Sequence, residues 1–213
     1  MQHLVLFDNT HDIIHHLMLL VDPITAIVIG FINKKTYNVL IHHYRQKISR
    51  QSVIYMCVVN DYPALCSFFL LFGMLISEHA VTHTVWHGRF NMLNIFKQYK
   101  MINYDNLNLL LCAIESKNLK MVKFIYHQCS DSTRQSGEVY ETIAMVDNVD
   151  IYYYLFNSKI TIDVHILVKH CSIRILEHLR YKVIFPRKWD NLILQIANIT
   201  QNQFMIDWVN SLS

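Results

Sequence analysis

Leu109-Leu110-Leu111-Cys112-Ala113-Ile114-Glu115-Ser116-Lys117-Asn118-Leu119-Lys120-Met121-Val122-Lys123-Phe124-Ile125-Tyr126-His127-Gln128 sets two apolar runs of helical period on either side of one short polar break. Leu109, Leu110, Ala113 and Ile114 recur at three-and-four spacing before the break. Leu119, Met121, Val122, Phe124 and Ile125 do the same after it, while Glu115, Lys117, Lys120 and Lys123 take the wet side. The stretch predicts helix, tight turn, helix. Such a hairpin cannot bury its own apolar face, so a neighbour of the same kind is expected on each side.

Sliding the pattern along the chain finds further copies of the turn and the apolar cluster after it. Phe90 to Phe96, Val149 to Leu155 and Ile173 to Leu179 carry it, Gln203 to Val209 carries it more loosely, and Tyr62 and Tyr37 begin copies of ambiguous register. The step of about 24 to 30 residues suits compact two-helix repeats. Ala113 and Ala197 lie four residues before their turns and Thr84 holds the same place, small residues that would let helices approach closely. The expected fold is all-α, a solenoid of helical hairpins forming a single domain over 1–213. Residues 1–52 would supply N-terminal capping helices, with room for a degenerate first repeat, and 53–213 about five helix-turn-helix repeats. Ser130 to Glu138, polar and without an apolar residue, is expected to be an exposed loop between repeats.

Composition narrows the function classes. Only 4 Gly and 3 Pro against 53% hydrophobic residues argue against β-sandwiches, Rossmann units and phosphate loops. The net charge of +3 comes from scattered Lys and Arg, so no nucleic-acid partner is expected. Five Cys with no C-x-x-C read as reduced thiols of an intracellular protein. The N-terminus lacks the features of a signal peptide. Val53 to Ser77 holds one charge, Asp61, but Asn60-Asp61-Tyr62-Pro63 divides it into pieces too short to span a bilayer, so no membrane partner is expected. An alternative, a membrane-associated protein, rests on residues 65–76.

His79, His83 and His87 are spaced four apart on one predicted helix face, a row that could share a metal, although no acid occupies the general-base place of H-E-x-x-H. Cys129, beside His127, is the most polar-flanked thiol. A metal- or thiol-dependent enzyme built on these residues is the rival reading. The leading one has no catalytic residue, cofactor or metal and offers Arg89, Lys120, Arg134 and the outward-facing Tyr153 as protein-interaction residues.

Lys117-Asn118-Leu119-Lys120-Met121-Val122-Lys123 resembles the ankyrin core G-N-L-E-I-V-K, with Lys117 in place of the usual Gly, which His87-Gly88-Arg89-Phe90 keeps. No repeat opens with T-P-L-H and none ends in a Gly-Ala-Asp hairpin, so the ankyrin-like β-hairpins are expected to be degenerate or absent. Gly-poor repeats rich in Cys, His and Tyr, with Leu110-Leu111-Cys112-Ala113-Ile114 followed by Asn118-Leu119, look like those of the asfarvirus multigene-family proteins over Val53 to Val209. That resemblance implies a non-enzymatic viral protein in the host cytoplasm. It would bind host signalling proteins, with effects on interferon responses, host range or virulence.

Overall fold

The computed structural model describes residues 50–71, 75–100, 102–156, 163–182 and 186–212. The proposed N-terminal capping helices and the copy beginning at Tyr37 lie outside these residues. Among the described residues there are thirteen helices and no strand: α1 (Arg50–Val59), α2 (Pro63–Leu71), α3 (Glu78–Trp86), α4 (Phe90–Gln98), α5 (Leu107–Glu115), α6 (Leu119–Gln128), α7 (Asp131–Arg134), α8 (Gly137–Val146), α9 (Val149–Phe156), α10 (Val164–Lys169), α11 (Ile173–Arg180), α12 (Pro186–Ile199) and α13 (Gln203–Asn210). The chain is all-α over this range. No described helix is long and apolar enough to cross a membrane; of the residues 65–76 invoked for one, 65–71 lie in α2 and 72–74 lie outside the described residues.

The helices come in pairs, and one backbone feature marks every pair. A residue in the left-handed region stands two places before the second helix: Asp61 (φ 57°), Gly88 (65°), Lys117 (55°), Asp147 (48°), Cys171 (55°) and Gln201 (54°). This conformation closes the first helix by returning the next amide to it. Tyr62 N–H donates to Cys57 O at 2.9 Å, Arg89 to Thr84 at 3.0 Å, Ser172 to Leu167 at 2.9 Å and Asn202 to Ala197 at 2.9 Å. Glycine is the usual occupant of such a position, but only Gly88 supplies it here. Three of the second helices, α6, α9 and α13, then start on asparagine side-chain caps. Asn118 Oδ1 accepts from Lys120 and Met121 N–H, Asn148 Oδ1 from Asp150 and Ile151 N–H, and Asn202 Oδ1 from Met205 N–H.

Burial keeps the same register. Four residues before the left-handed residue stand Cys57, Thr84, Ala113, Ile143, Leu167 and Ala197, all buried. Thr84 is polar but satisfied, its hydroxyl donating to Ala80 O at 2.8 Å. In the second helices Met92, Met121, Ile151, Ile175 and Met205 occupy one equivalent buried position, with Phe69, Phe96, Ile125, Leu155 and Val209 a turn farther on. The first helices α1, α3, α5, α8, α10 and α12 touch one another in that order. Among the second helices α2 meets α4, and α9 meets both α6 and α11.

Neighbouring pairs are also joined through their turns. Asn202 Nδ2 donates to Val168 O (3.0 Å), Ser172 Oγ to Ala144 O (2.7 Å) and Arg89 Nη2 to Val59 O (3.0 Å). In each case the residue after the left-handed turn satisfies a carbonyl at the C-terminal end of the preceding pair's first helix, a group that α-helical bonding leaves open. Asp147 adds two bonds in the other direction, its carboxylate accepting from Arg174 and Ile175 N–H at the start of α11.

The stretch Ser130 to Glu138, expected to be an irregular loop, is exposed over most of its length but ordered. It contains α7 and the first residues of α8. Ser130 caps α7, Ser130 N–H donates to Asp105 Oδ1 (2.7 Å), and the buried Thr133 hydroxyl donates to Asp105 O (3.3 Å). The polar composition that suggested a loop belongs to these caps and to the bonds with the preceding inter-pair connection.

Candidate interaction face

Residues two places before each left-handed turn residue point outward. They are Val59, Trp86, Glu115, Met145, Lys169 and Ile199, one per pair, at the C-terminal ends of the first helices. Four are apolar, with Trp86 52%, Met145 64% and Ile199 70% exposed. Apolar residues that stay in water at this same place in four of the six pairs have no role in the core.

Clefts lie between the first helices that carry this row. One of about 620 Å³, between α3 and α5, is lined by Glu78, His79, Thr82, Asn108, Leu111, Cys112 and Glu115 together with Ser77. A second, of about 370 Å³, lies between Trp86, Glu115, Lys117, Thr142, Met145 and Val146. Glu115 borders both, makes no hydrogen bond or ion pair within the described residues, and is exposed. Helices α3, α5 and α8 contribute Glu78, Glu115, Glu138 and Glu141 and no Lys or Arg. Glu141 is paired with Lys169 at 3.0 Å, and that contact holds its carboxyl below the usual range.

The histidine row lies at one end of this face, where α3 meets α1. His79 stacks on Tyr55 with ring centroids 4.9 Å apart, His83 meets Tyr55 edge-on at 5.2 Å, and His83 and His87 lie 4.3 Å apart beside Trp86. The rings pack on rings. Among the described residues no three His, Cys, Asp or Glu side chains are grouped to hold a metal ion. Burial, reinforced by the charges of His87, Arg89 and His79, holds the His83 imidazole below its ordinary pKa.

The thiol proposed as a nucleophile is engaged elsewhere. Cys129 is buried at the end of α6, its Sγ donates to Tyr104 O at 3.1 Å, and burial pushes its pKa up to about 11. Cys57 and Cys66 are pushed up to about 12 by the same cause, so each stays a protonated core thiol at neutral pH.

The four interaction residues read from the sequence are not brought together. Arg89 bonds Val59 O and lies 4.0 Å from Asp61, joining two pairs. Arg134 donates to Tyr126 O (2.8 Å) and His127 O (3.3 Å) and covers the Tyr126 ring, closing the end of α6. Tyr153, 47% exposed, carries Lys182 Nζ over its ring at 4.4 Å on the second-helix side. Lys120 is exposed on that side too. Trp86, Glu115 and Met145 were missed. The copies aligned at Phe90, Leu119 and Val149 place them each four residues before the second helix, and large apolar residues recurring there were the available signal.

No protein-family model, curated protein or solved structure matches the chain.

Proposed function

We propose that the chain is a non-enzymatic interaction protein, an ankyrin-like helical solenoid that takes up a protein partner on the face of its first helices. The observation that carries this reading is the outward row at one register position, Trp86, Glu115 and Met145 above all, standing over clefts between successive first helices. Rigid helix pairs that present equivalent positions side by side offer an extended preformed surface. The protonated buried thiols and the ring-packed histidines favour the scaffold over the enzyme alternatives. The resemblance carried by Leu110 to Ile114 followed by Asn118-Leu119 extends the proposal: the partner would be a host innate-immune signalling protein met in the cytoplasm of an infected cell, and the consequence an altered interferon response, host range or virulence.

Affinity purification from host cells tests the face. Trp86→Arg combined with Met145→Arg is expected to abolish partner recovery without loss of helical content, while Lys120→Glu combined with Tyr153→Ala leaves recovery intact. The reverse pattern would move the binding surface to the second helices, and recovery unchanged by both would discard the proposed surface altogether.

A further inference from the structure

We infer that the trough running past Glu115 docks a basic segment of a partner protein, one in which a Lys or Arg is followed by a large apolar side chain. This rests on the docking face proposed above and gives its occupant a chemistry. The cleft between α3 and α5 has a carboxylate at each end, Glu78 and Glu115, over a floor that includes Leu111 and Cys112. Glu78 is bonded to Asn106 Nδ2, whereas Glu115 has no hydrogen-bond or ion-pair partner among the described residues. The second cleft continues from Glu115 into an apolar space between Trp86 and Met145, with Lys117 at its rim. A cation at Glu115 would therefore lie next to a site for an apolar side chain. The absence of Lys and Arg from α3, α5 and α8 leaves Glu115 without competition from within its own helices. An acidic segment lying along the first cleft would meet Glu78 and Glu115, a like-charge arrangement that disfavours it.

The test uses the full chain and three sets of synthetic peptides, each about twelve residues long, read by fluorescence anisotropy. One set pairs Lys or Arg with Leu or Phe, the second pairs Asp or Glu with the same apolar residues, and the third pairs Lys or Arg with Ser. The first set is expected to bind best and to weaken as salt is raised across the range that shortens the Debye length below about 10 Å. Glu115→Lys should weaken it about tenfold or more, and Trp86→Ala by a similar factor. Glu115→Gln and Met145→Ala serve as milder second variants, and circular dichroism checks that each variant is folded.

Preference for the acidic set, lost on Trp86→Ala, would overturn the basic-segment inference and keep the docking face. Binding of the basic set that ignores both Glu115→Lys and Trp86→Ala would overturn both the inference and the face. Failure of all three sets to bind overturns the inference. Salt-sensitive self-association in sedimentation, abolished by Glu115→Lys, would assign the trough to the lysine-bearing side of a second copy and likewise overturn it.

Discussion

Helices α3, α5 and α8 carry only acidic charges, whereas α4 and α6 carry only lysines, and the two sets are used differently. Lys97 Nζ lies 5.4 Å from the centre of the Phe124 ring in the next pair, and Lys123 Nζ lies 5.0 Å from that of Tyr154 in the pair after. These lysines join the seams between second helices by cation–π contact, with their stems covering apolar surface. Glu115 on the other side makes no hydrogen bond or ion pair among the described residues. The basic face is part of how the pairs are held together, and the acidic face keeps an unpaired carboxylate beside exposed Trp86 and Met145. Charge content alone would have pointed to the lysines as the functional residues. The contacts give Lys97 and Lys123 a part in the packing instead.

The largest effect is expected where both rows share a core. Val122 is fully buried, so Val122→Asp forces a carboxylate into an apolar interior and should remove more than about 4 kcal/mol, enough to unfold the described pairs in urea. Lys120→Ala, two residues away on the exposed side, should shift the urea midpoint by less than about 0.5 kcal/mol equivalent. A folded Val122→Asp protein would show that the rows are not packed through this position.

The turn bonds come next. Ser172→Ala leaves the Ala144 carbonyl without its 2.7 Å donor and should destabilise by about 1 to 3 kcal/mol, most visibly as faster amide exchange in α10 and α11. Exchange unchanged there would mean that burial alone joins these pairs. In the opposite direction, Lys117→Gly relieves a left-handed non-glycine residue at φ 55° and should stabilise by up to about 1 kcal/mol in thermal melts. No gain would show that Lys117 is compensated by contacts of its own.

The smallest effect is on pH. Because His83 has a lowered pKa in the folded chain, the unfolded chain takes up that proton first as pH falls. Its contribution to stability is present above the unfolded value of about 6.5 and is lost as pH drops through the folded one. His83→Asn should flatten the stability profile below neutral pH. A slope that survives the substitution would transfer the effect to other groups.

Much of the helix plan was legible in the chain. Helices begin at Phe90, Leu119, Val149, Ile173 and Gln203, the five positions at which the apolar pattern restarts, and Met121, Val122 and Ile125 are buried as their spacing required. The copy placed at Tyr62 begins one residue later, at Pro63, because Tyr62 N–H is occupied in closing α1. The candidate face was not legible. Arg89 and Arg134 look like free surface cations in the sequence, but Arg89 donates to the Val59 carbonyl of the preceding pair and Arg134 to the Tyr126 carbonyl of α6 as well as to Asp131 of its own helix.

The sequence by itself determined where helices start, which sides are apolar and how far apart the copies lie, because apolar periodicity and Asn caps act over a few neighbouring residues. Only the tertiary structure decided the rest. The reach of Ser172 and Asn202 to the preceding pair and the exposure of Trp86 and Met145 depend on where the neighbouring pair lies. A side chain's partner is a property of that placement, and residues nearly thirty positions apart carry no local signal of it.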